Sequence, residues 1–342
     1  MTHARKELIS LDSTPYYHCI SRCVRRAFLW SEDSFTGKNF DHRKGWVVGR
    51  LRELADAFAI DIAAYAVMSN HYHLVLRVDR QKASNWSTIE VIDHWQQLYK
   101  LPQIVARYQR GETLLEVERI IMNQYVETWR ERLFDISWFM RCLNEHLARR
   151  ANEEDNCTGR FWEGRFKSQA LLDEAAVLTA MSYVDLNPIR AAMADTPEAS
   201  AFTSIAQRVA ELNGIDVPVT SRDSQSNTRP GPKLMGLAPQ HEDPHPNAIS
   251  YSLSDYLNLV DWSGRAIRND KRGFIDQQIP PILTRLGLEP EGFINHLQGR
   301  KGRAHSKVLG SIEKMRQAAV DMGRSFIKGL SEAQALYLKP SG

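Results

Sequence analysis

Short apolar segments typical of strands alternate with segments of helical periodicity over the first 190 residues. The predicted strands are Tyr16–Arg22, Ile60–Val67, His71–Val78 and Phe166–Leu172, and the predicted helices are Gly45–Phe58, Ser137–Asn152 and a last helix that begins after Asp173. The resulting order, β-α-β-β-α-β-α, is typical of an α+β fold with a ferredoxin-like antiparallel sheet and helices packed on one face.

Three further regions lie outside this predicted fold. Residues 80–135 contain helical patterns, the longest over Leu114–Leu133, and predict an inserted helical subdomain; a helix that covers a functional site is the alternative. Residues 216–248 are polar and rich in proline, which predicts a flexible linker. The remaining segment carries amphipathic patterns over 251–262 and 310–328 and predicts a helical accessory domain. The predicted division of the chain is therefore 1–215, 216–248 and 249–342.

Two histidines stand one residue apart in the third predicted strand. Side chains at positions i and i+2 of an extended chain leave the same face of the sheet, so His71 and His73 converge while Tyr72 points the other way. Neutral imidazoles are common ligands of divalent metal ions. Histidine pairs in strands are nevertheless more often ordinary core or surface groups, so the pair alone leaves both interpretations open.

A second set of polar groups lies on the last predicted helix. Asp173 suits an N-cap and Pro188 a natural stop. Tyr183 and Asn187 are four residues apart, so they lie on one face of the helix. A structural alternative exists for each, since the tyrosine can be an ordinary amphipathic residue and the asparagine a helix-ending residue. The stripe predicted to face the core is Val177, Ala180, Met181 and Val184.

These motifs, taken together, resemble a known family. The His71-Tyr72-His73 pair, the Gly164–Lys167 segment and the Tyr183-x-x-x-Asn187-Pro188 segment resemble the single-tyrosine HUH transposases, specifically the REP-associated tyrosine transposases of bacteria. The resemblance covers about residues 14 to 204. It implies an HUH nuclease fold, with His71, His73 and Asn187 as metal ligands and Tyr183 as the nucleophile.

The resemblance implies an endonuclease and strand transferase that acts on hairpin-forming repeats in single-stranded DNA. A divalent cation would polarise the phosphate, and a phosphotyrosine intermediate would preserve the bond energy for rejoining. Mg²⁺ or Mn²⁺ suits a site that substrate oxygens complete, although imidazole as such suits zinc better, so the metal's identity stays open. A domesticated non-catalytic DNA-binding protein and an HUH replication initiator or relaxase are the alternatives.

The 342 residues carry a net charge of only +3, so net charge alone does not indicate nucleic-acid binding. The distribution of the charges along the chain is more informative. Cations alternate with aromatic residues near the proposed site, a combination typical of single-strand binding. Between Arg265 and Lys307 nine Lys or Arg residues stand against four Asp or Glu residues, which predicts contact with a DNA backbone; a solvated face of a small helical domain is the alternative. The predicted DNA-binding residues near the site are Arg22, Arg25, Arg160, Arg165, Phe166 and Lys167.

Cysteine spacing and the N-terminus bear on the cellular compartment. The four cysteines lack a Cys-x-x-Cys pair, which favours free thiols in a reducing compartment. The N-terminus lacks an apolar signal core, and no apolar run is long enough for a membrane span. We therefore expect a soluble cytoplasmic protein, associated with the nucleoid and not with a membrane, that acts as a monomer or a dimer.

Overall fold

The fold is built on a five-stranded sheet. The computed structural model describes residues 9–24, 40–212, 231–238, 248–267, 283, 287–298, 306–324 and 327–338. Its strands are β1 (Tyr16–Arg22), β2 (Ile60–Val67), β3 (His71–Val78), β4 (Lys167–Leu171), β5 (Gly236–Leu237), β6 (Ala248–Ile249) and β7 (Val308–Leu309). The main sheet has the order β2-β3-β1-β4-β7, and β5 pairs with β6 separately.

The first four strands of the main sheet are antiparallel, and β7 is parallel to β4. In the register of β1 and β3, Tyr16 lies opposite Arg77 and Arg22 lies opposite His71. The spans predicted for β1, β2 and β3 agree with those observed. This topology confirms the predicted α+β fold with a ferredoxin-like antiparallel sheet.

Thirteen helices are described in the part of the chain given above. They are α1 (His42–Ala57), α2 (Arg80–Asn85), α3 (Thr88–Gln96), α4 (Gln103–Gln109), α5 (Glu116–Leu133), α6 (Ile136–Glu154), α7 (Glu174–Asp185), α8 (Asn187–Arg190), α9 (Ser204–Leu212), α10 (Leu253–Ile267), α11 (Pro290–Gln298), α12 (Ile312–Asp321) and α13 (Leu330–Leu336). The predicted helices correspond to α1, α5, α6, α7, α10 and α12, with shifts at their ends.

Alternation along β3 divides the core between the two faces of the sheet. Tyr72, Leu74 and Leu76 pack with α1 and α6 on one face, whereas the prediction placed all helices on a single face. Val75, on the other face, packs with α7. Helices therefore cover both faces, and the second face is the one to which His71 and His73 belong.

The inserted residues form helices α2 to α5 with a small core of their own. Trp95 of α3 and Trp129 of α5 stack at its centre, with ring centroids 5.2 Å apart. The predicted helix over residues 114–133 is observed as α5. Its outer face leaves Val117 and Ile120 exposed. These helices lie on the far side of α1 and α6 from the histidine face, because their contacts run to those helices and to one another.

The described C-terminal residues are divided between two cores: some pack in one cluster with α7, and Val308, Met315 and Ala333 belong to a small cluster of their own. Leu259, Phe293 and Leu297 belong to the same buried cluster as the α7 side chains. Strand β7 also extends the main sheet, because it pairs with β4.

The predicted linker is described only in part. Residues 231–238 are attached to β2, since the Met235 N–H donates to the Ile62 carbonyl at 2.9 Å. Residues 213–230 and 239–247 lie outside the described residues.

All four cysteines are free thiols, as their spacing predicts. Cys19 and Cys142 are buried in the core beneath α1 and α6. Among the described helices, none combines the length and apolarity that a membrane crossing requires.

Candidate active site

The histidine face of the sheet and helix α7 enclose a cluster of aromatic rings. His18 of β1, His73 of β3 and Tyr183 of α7 lie in mutual contact. His71 lies at the open end of the cluster, with its ring centroid 4.9 Å from that of His73. The structure thus brings together three of the predicted residues and adds His18, which the sequence analysis did not assign.

His71 is oriented by its neighbour in the β2–β3 turn. Its Nδ1 lies 2.7 Å from Asn70 Oδ1, and because an amide oxygen accepts, the ring carries its proton on Nδ1 and its lone pair on Nε2. Burial, together with the positive charges of Arg22 and Arg190, lowers the pKa of His71 to about 4. The imidazole is therefore neutral near pH 7, which is the form that binds a metal ion.

His73 is buried and held by the histidine on the adjacent strand. His73 Nδ1 lies 2.9 Å from His18 Nε2, and the two rings stack with centroids 5.1 Å apart. A hydrogen bond at one ring nitrogen fixes the orientation of the imidazole and directs its other nitrogen. His18 therefore orients His73 as Asn70 orients His71.

Tyr183 is only 8% exposed, so its ring is packed, as both a nucleophile in a pocket and an ordinary amphipathic tyrosine allow. The edge of its ring meets His73 at a centroid distance of 5.8 Å. The guanidinium of Arg190 lies over the ring, 4.5 Å from its centroid, which is a cation–π contact. A third histidine, His296 of α11, lies with its ring centroid 6.2 Å from that of Tyr183.

Asn187 begins the short helix α8 instead of ending α7. Helix α7 ends at Asp185, ahead of Pro188 as predicted, but Tyr183 and Asn187 do not share one helix. Pro188 is tolerated in the first turn of α8, where its missing N–H is not needed. Asn187 is buried, and its Oδ1 accepts from Arg190 Nη1 at 3.5 Å, the upper limit for such a bond. Arg190, which contacts both residues, therefore connects Asn187 to the pocket around Tyr183.

The predicted ligand set fits a divalent cation in its chemistry. It offers two imidazoles and one amide oxygen, all neutral, so the charge of the ion is not cancelled. The buried Asn187 Nδ2 has no hydrogen-bond partner in the structure, which marks an amide that protein contacts alone leave incomplete. No group of three or more His, Cys, Asp or Glu side chains among the described residues could hold a metal ion. A site here therefore requires Asn187.

The predicted DNA-binding residues that the structure describes are all exposed except Phe166. Arg22, Arg165 and Lys167 are exposed, and Arg22 lies opposite His71 across the β1–β3 ladder. Arg160 is exposed too, and it donates to the backbone oxygens of Trp162 and Glu163. Phe166 is buried in the core beneath α1 and α6, so it offers no open ring face to a base.

Other predicted contacts lie mainly outside the described residues. Arg25 is one of these, and so are most cations of the basic C-terminal segment. Of that segment, Arg265 is described on the surface of α10, where it pairs with Asp261. The predicted contact between this segment and DNA stays a prediction.

Sequence reasoning missed four residues of the pocket, namely His18, Arg190, His296 and Glu332. His18 could have been predicted from the alternation along β1, because it lies on the face of that strand that is turned towards α7. Arg190 follows Asn187 by three residues, which places it one helical turn further on. For His296 and Glu332 no local pattern exists, since both reach the pocket from the C-terminal helices α11 and α13.

Comparisons with known proteins add one similarity. No protein-family model and no curated protein matches the sequence. A search of solved structures finds similarity to a REP-associated tyrosine transposase bound to a REP hairpin, with 13% sequence identity and a TM-score of 0.37. The match covers 69% of this chain and 100% of that chain. At this identity and score the similarity carries no functional argument.

Proposed function

We propose that the protein is a metal-dependent endonuclease and strand transferase for single-stranded DNA, with Tyr183 as its nucleophile. The observation that supports this best is the placement of Tyr183 between the His18–His73 pair and the guanidinium of Arg190. A phenol in this position has imidazoles on one side and a cation on the other. This arrangement suits attack on an anionic centre.

Two buried donors beside Tyr183 support an anionic substrate. Asn187 Nδ2 and Arg190 Nε are both buried, and neither has a hydrogen-bond partner among the described residues. Buried N–H donors without partners are costly, so they favour a ligand that supplies acceptors. The oxygens of a phosphodiester are acceptors of this kind, and guanidinium binds them with charge-assisted hydrogen bonds.

His71, His73 and Asn187 would hold the cation through two imidazole nitrogens and one amide oxygen. When bound, a divalent cation polarises the phosphate and stabilises the charge that develops on it. The protein's own contribution is orientation: Asn70 and His18 fix the ligand rings, and the packing of α7 on β3 fixes Tyr183 against them. Mg²⁺ and Mn²⁺ are the proposed ions.

Tyr183 would form a covalent bond to the phosphate that it attacks. The bond energy of the cut ester is then retained for rejoining to another DNA end, whereas hydrolysis would lose it. Exposed Arg22, Arg165 and Lys167 would neutralise the phosphates of the flanking strand. The proposed substrate class is single-stranded DNA with hairpin-forming repeats, in keeping with the family resemblance of the sequence motifs.

The test is formation of a covalent adduct. We would incubate the protein with an end-labelled single strand that carries a hairpin and a flanking tail, with Mg²⁺ or Mn²⁺, and separate the products under denaturing conditions. Wild type should give a denaturant-resistant protein–DNA adduct, and Tyr183→Phe should give none while still binding the hairpin. The matched control is Tyr125→Phe, which changes an exposed tyrosine of the inserted helices and should leave the adduct unchanged.

Two outcomes would contradict the proposal. If Tyr183→Phe still forms the adduct, the nucleophile is another residue. If wild type binds the hairpin tightly in both ions and forms no adduct, the alternative of a non-catalytic DNA-binding protein becomes the better conclusion.

A further inference from the structure

We propose that His296, oriented by Glu332, accepts the proton of Tyr183 when the phenol attacks DNA. The inference rests on the proposed function, since it assigns a partner to the proposed nucleophile. A phenol is mostly protonated near neutral pH, so a tyrosine nucleophile needs a group that takes its proton. The question is which base in the pocket is available for this role.

The hydrogen bond between His296 and Glu332 fixes the form of the imidazole. His296 Nδ1 lies 3.1 Å from Glu332 Oε1. A carboxylate accepts, so Nδ1 carries a proton and the lone pair of the neutral ring is on Nε2. A carboxylate that holds a histidine in this tautomer and stabilises the imidazolium is the arrangement found in hydrolytic triads. Glu332 thus prepares His296 to accept a proton.

His296 is placed against the nucleophile and away from bulk water. Its side chain is 5% exposed, and its ring centroid lies 6.2 Å from that of Tyr183. The two rings are therefore neighbours in the pocket, and the proposed transfer requires the phenolic oxygen and the imidazole nitrogen to meet directly or through one water molecule. Charged groups near His296 among the described residues include Glu332 of α13 and, through the adjoining Gln298 carbonyl, Arg190 of α8.

The other histidines of the described pocket have different proposed roles. His71 and His73 would direct their lone pairs to the cation, and His18 is joined to His73 by a hydrogen bond. A ligand to a cation cannot accept a proton at the same nitrogen. Among the described pocket histidines this leaves His296 as the base that neither binds the metal nor supports a ligand.

The fold holds α11 in place for this contact. Gly292 lies one turn before His296, and a Cβ at Gly292 would lie only 1.8 Å from the Ala335 carbonyl oxygen, so α11 and α13 approach more closely than any side chain at this position permits. Arg190 Nη2 also donates to the Gln298 carbonyl at 3.0 Å, which ties the end of α11 to the helix that follows Tyr183. Both contacts fix His296 relative to Glu332 and to the tyrosine.

The step balances without a further reactant. The Tyr183 Oη–H bond breaks, and the proton passes to His296 Nε2. A bond forms between Oη and phosphorus, and the ester bond from phosphorus to the leaving strand breaks. The leaving oxygen then takes the proton from the imidazolium, so His296 is returned to its neutral form. Rejoining is the reverse of these events.

The experiment measures adduct formation in a single turnover, at saturating protein, as a function of pH. The variants are His296→Gln and His296→Ala, with Glu332→Gln to test orientation. The matched control is His42→Gln, because His42 forms a similar pair with Glu154 at 2.6 Å on the opposite face of the sheet. Hairpin affinity and thermal unfolding are measured for each variant, and imidazole is added to His296→Ala.

We expect His296→Gln to slow adduct formation by about 10²–10⁴-fold, the usual contribution of a general base, with hairpin affinity nearly unchanged. The pH–rate profile of His296→Gln should differ from that of wild type. Glu332→Gln should slow the reaction by a smaller factor, and imidazole should partly restore His296→Ala and have no effect on His42→Gln.

The outcomes that overturn the inference are distinct from failure of the proposed function. If wild type forms no adduct, the proposed function fails, and the inference fails with it. If wild type forms the adduct and a folded His296→Gln variant matches it in rate and pH profile, only the inference is wrong. A faster variant would mean that α11 hinders the tyrosine, which also overturns it. If His296→Gln does not fold, Glu332→Gln with a wild-type pH profile is the contrary result.

Discussion

The hydroxyl of Tyr256 donates a hydrogen bond of 2.5 Å to Asp185, and so joins α10 to the end of the helix that carries Tyr183. Asp185 is fully buried and also accepts from Ser204 Oγ and the Ile205 N–H, at 2.5 and 3.0 Å. Burial raises the pKa of Asp185 to about 6, against the effect of these donors. The position of the nucleophile helix therefore depends on residues from the C-terminal part of the chain.

Tyr256→Phe tests this dependence. The variant keeps the ring and removes one of the donors to a buried carboxylate, so we expect a loss of about 1–3 kcal/mol in the free energy of unfolding. Chemical denaturation at constant pH measures this loss. The control is Tyr125→Phe on the surface of α5, expected within about 0.5 kcal/mol of wild type. Equal stability of the two variants would show that the Tyr256 hydroxyl contributes nothing to holding α7.

The individual ligands can be tested through metal rescue. His71→Ala, His73→Ala and Asn187→Ala should each abolish most adduct formation, because each removes one of three proposed ligands. Excess Mn²⁺ should restore Asn187→Ala best, since both imidazoles remain to anchor the ion. Adduct formation is measured against Mn²⁺ concentration. Full wild-type activity in excess chelator would contradict a role for any metal ion.

His18 provides a separate test, because it supports a ligand without being one. His18→Ala removes the hydrogen bond to His73 Nδ1, and loss of such a supporting bond typically weakens metal affinity by about 10–100-fold. Titration with Mn²⁺, followed by calorimetry, measures the change. His146→Ala, which alters a histidine of α6 outside the pocket, is the control. Unchanged Mn²⁺ affinity in His18→Ala would remove His18 from the metal site.

The sequence predicts the sheet well because the information is local. Alternation in β1 and β3 and the tight turn at Asn70 determine which side chains share a face, and they place His71 and His73 together. Tyr183 follows from helical spacing. The end of α7 ahead of Pro188 was predicted correctly, but the start of a new short helix at Asn187 was not, because a proline suits both the end of one helix and the first turn of the next.

The contacts that the sequence did not predict join distant segments. Tyr256 and Asp185 are 71 residues apart, and Arg190 and Gln298 are 108 apart. The polar linker suggested independent parts, yet β7 extends the main sheet and α10 covers α7. Truncation after residue 215 would therefore expose the apolar face of α7, so it is a poor test of DNA binding by the basic segment, because it damages the fold.

Arg190→Lys is the sharpest test of the pocket beside Tyr183. Lysine keeps the positive charge and loses the planar fork that now lies over the tyrosine ring and reaches both Asn187 Oδ1 and the Gln298 carbonyl. If Arg190 stabilises the charge that develops on the phosphate, the rate of adduct formation should fall by about 10²–10³-fold, the usual effect of removing one such donor. Affinity for the hairpin should fall much less, because one phosphate contact contributes little to binding compared with the flanking cations. Single-turnover rates and binding isotherms separate the two effects, with Arg149→Lys on the exposed surface of α6 as the control. A loss confined to affinity would mean that Arg190 holds DNA in the ground state and has no special role when Tyr183 attacks.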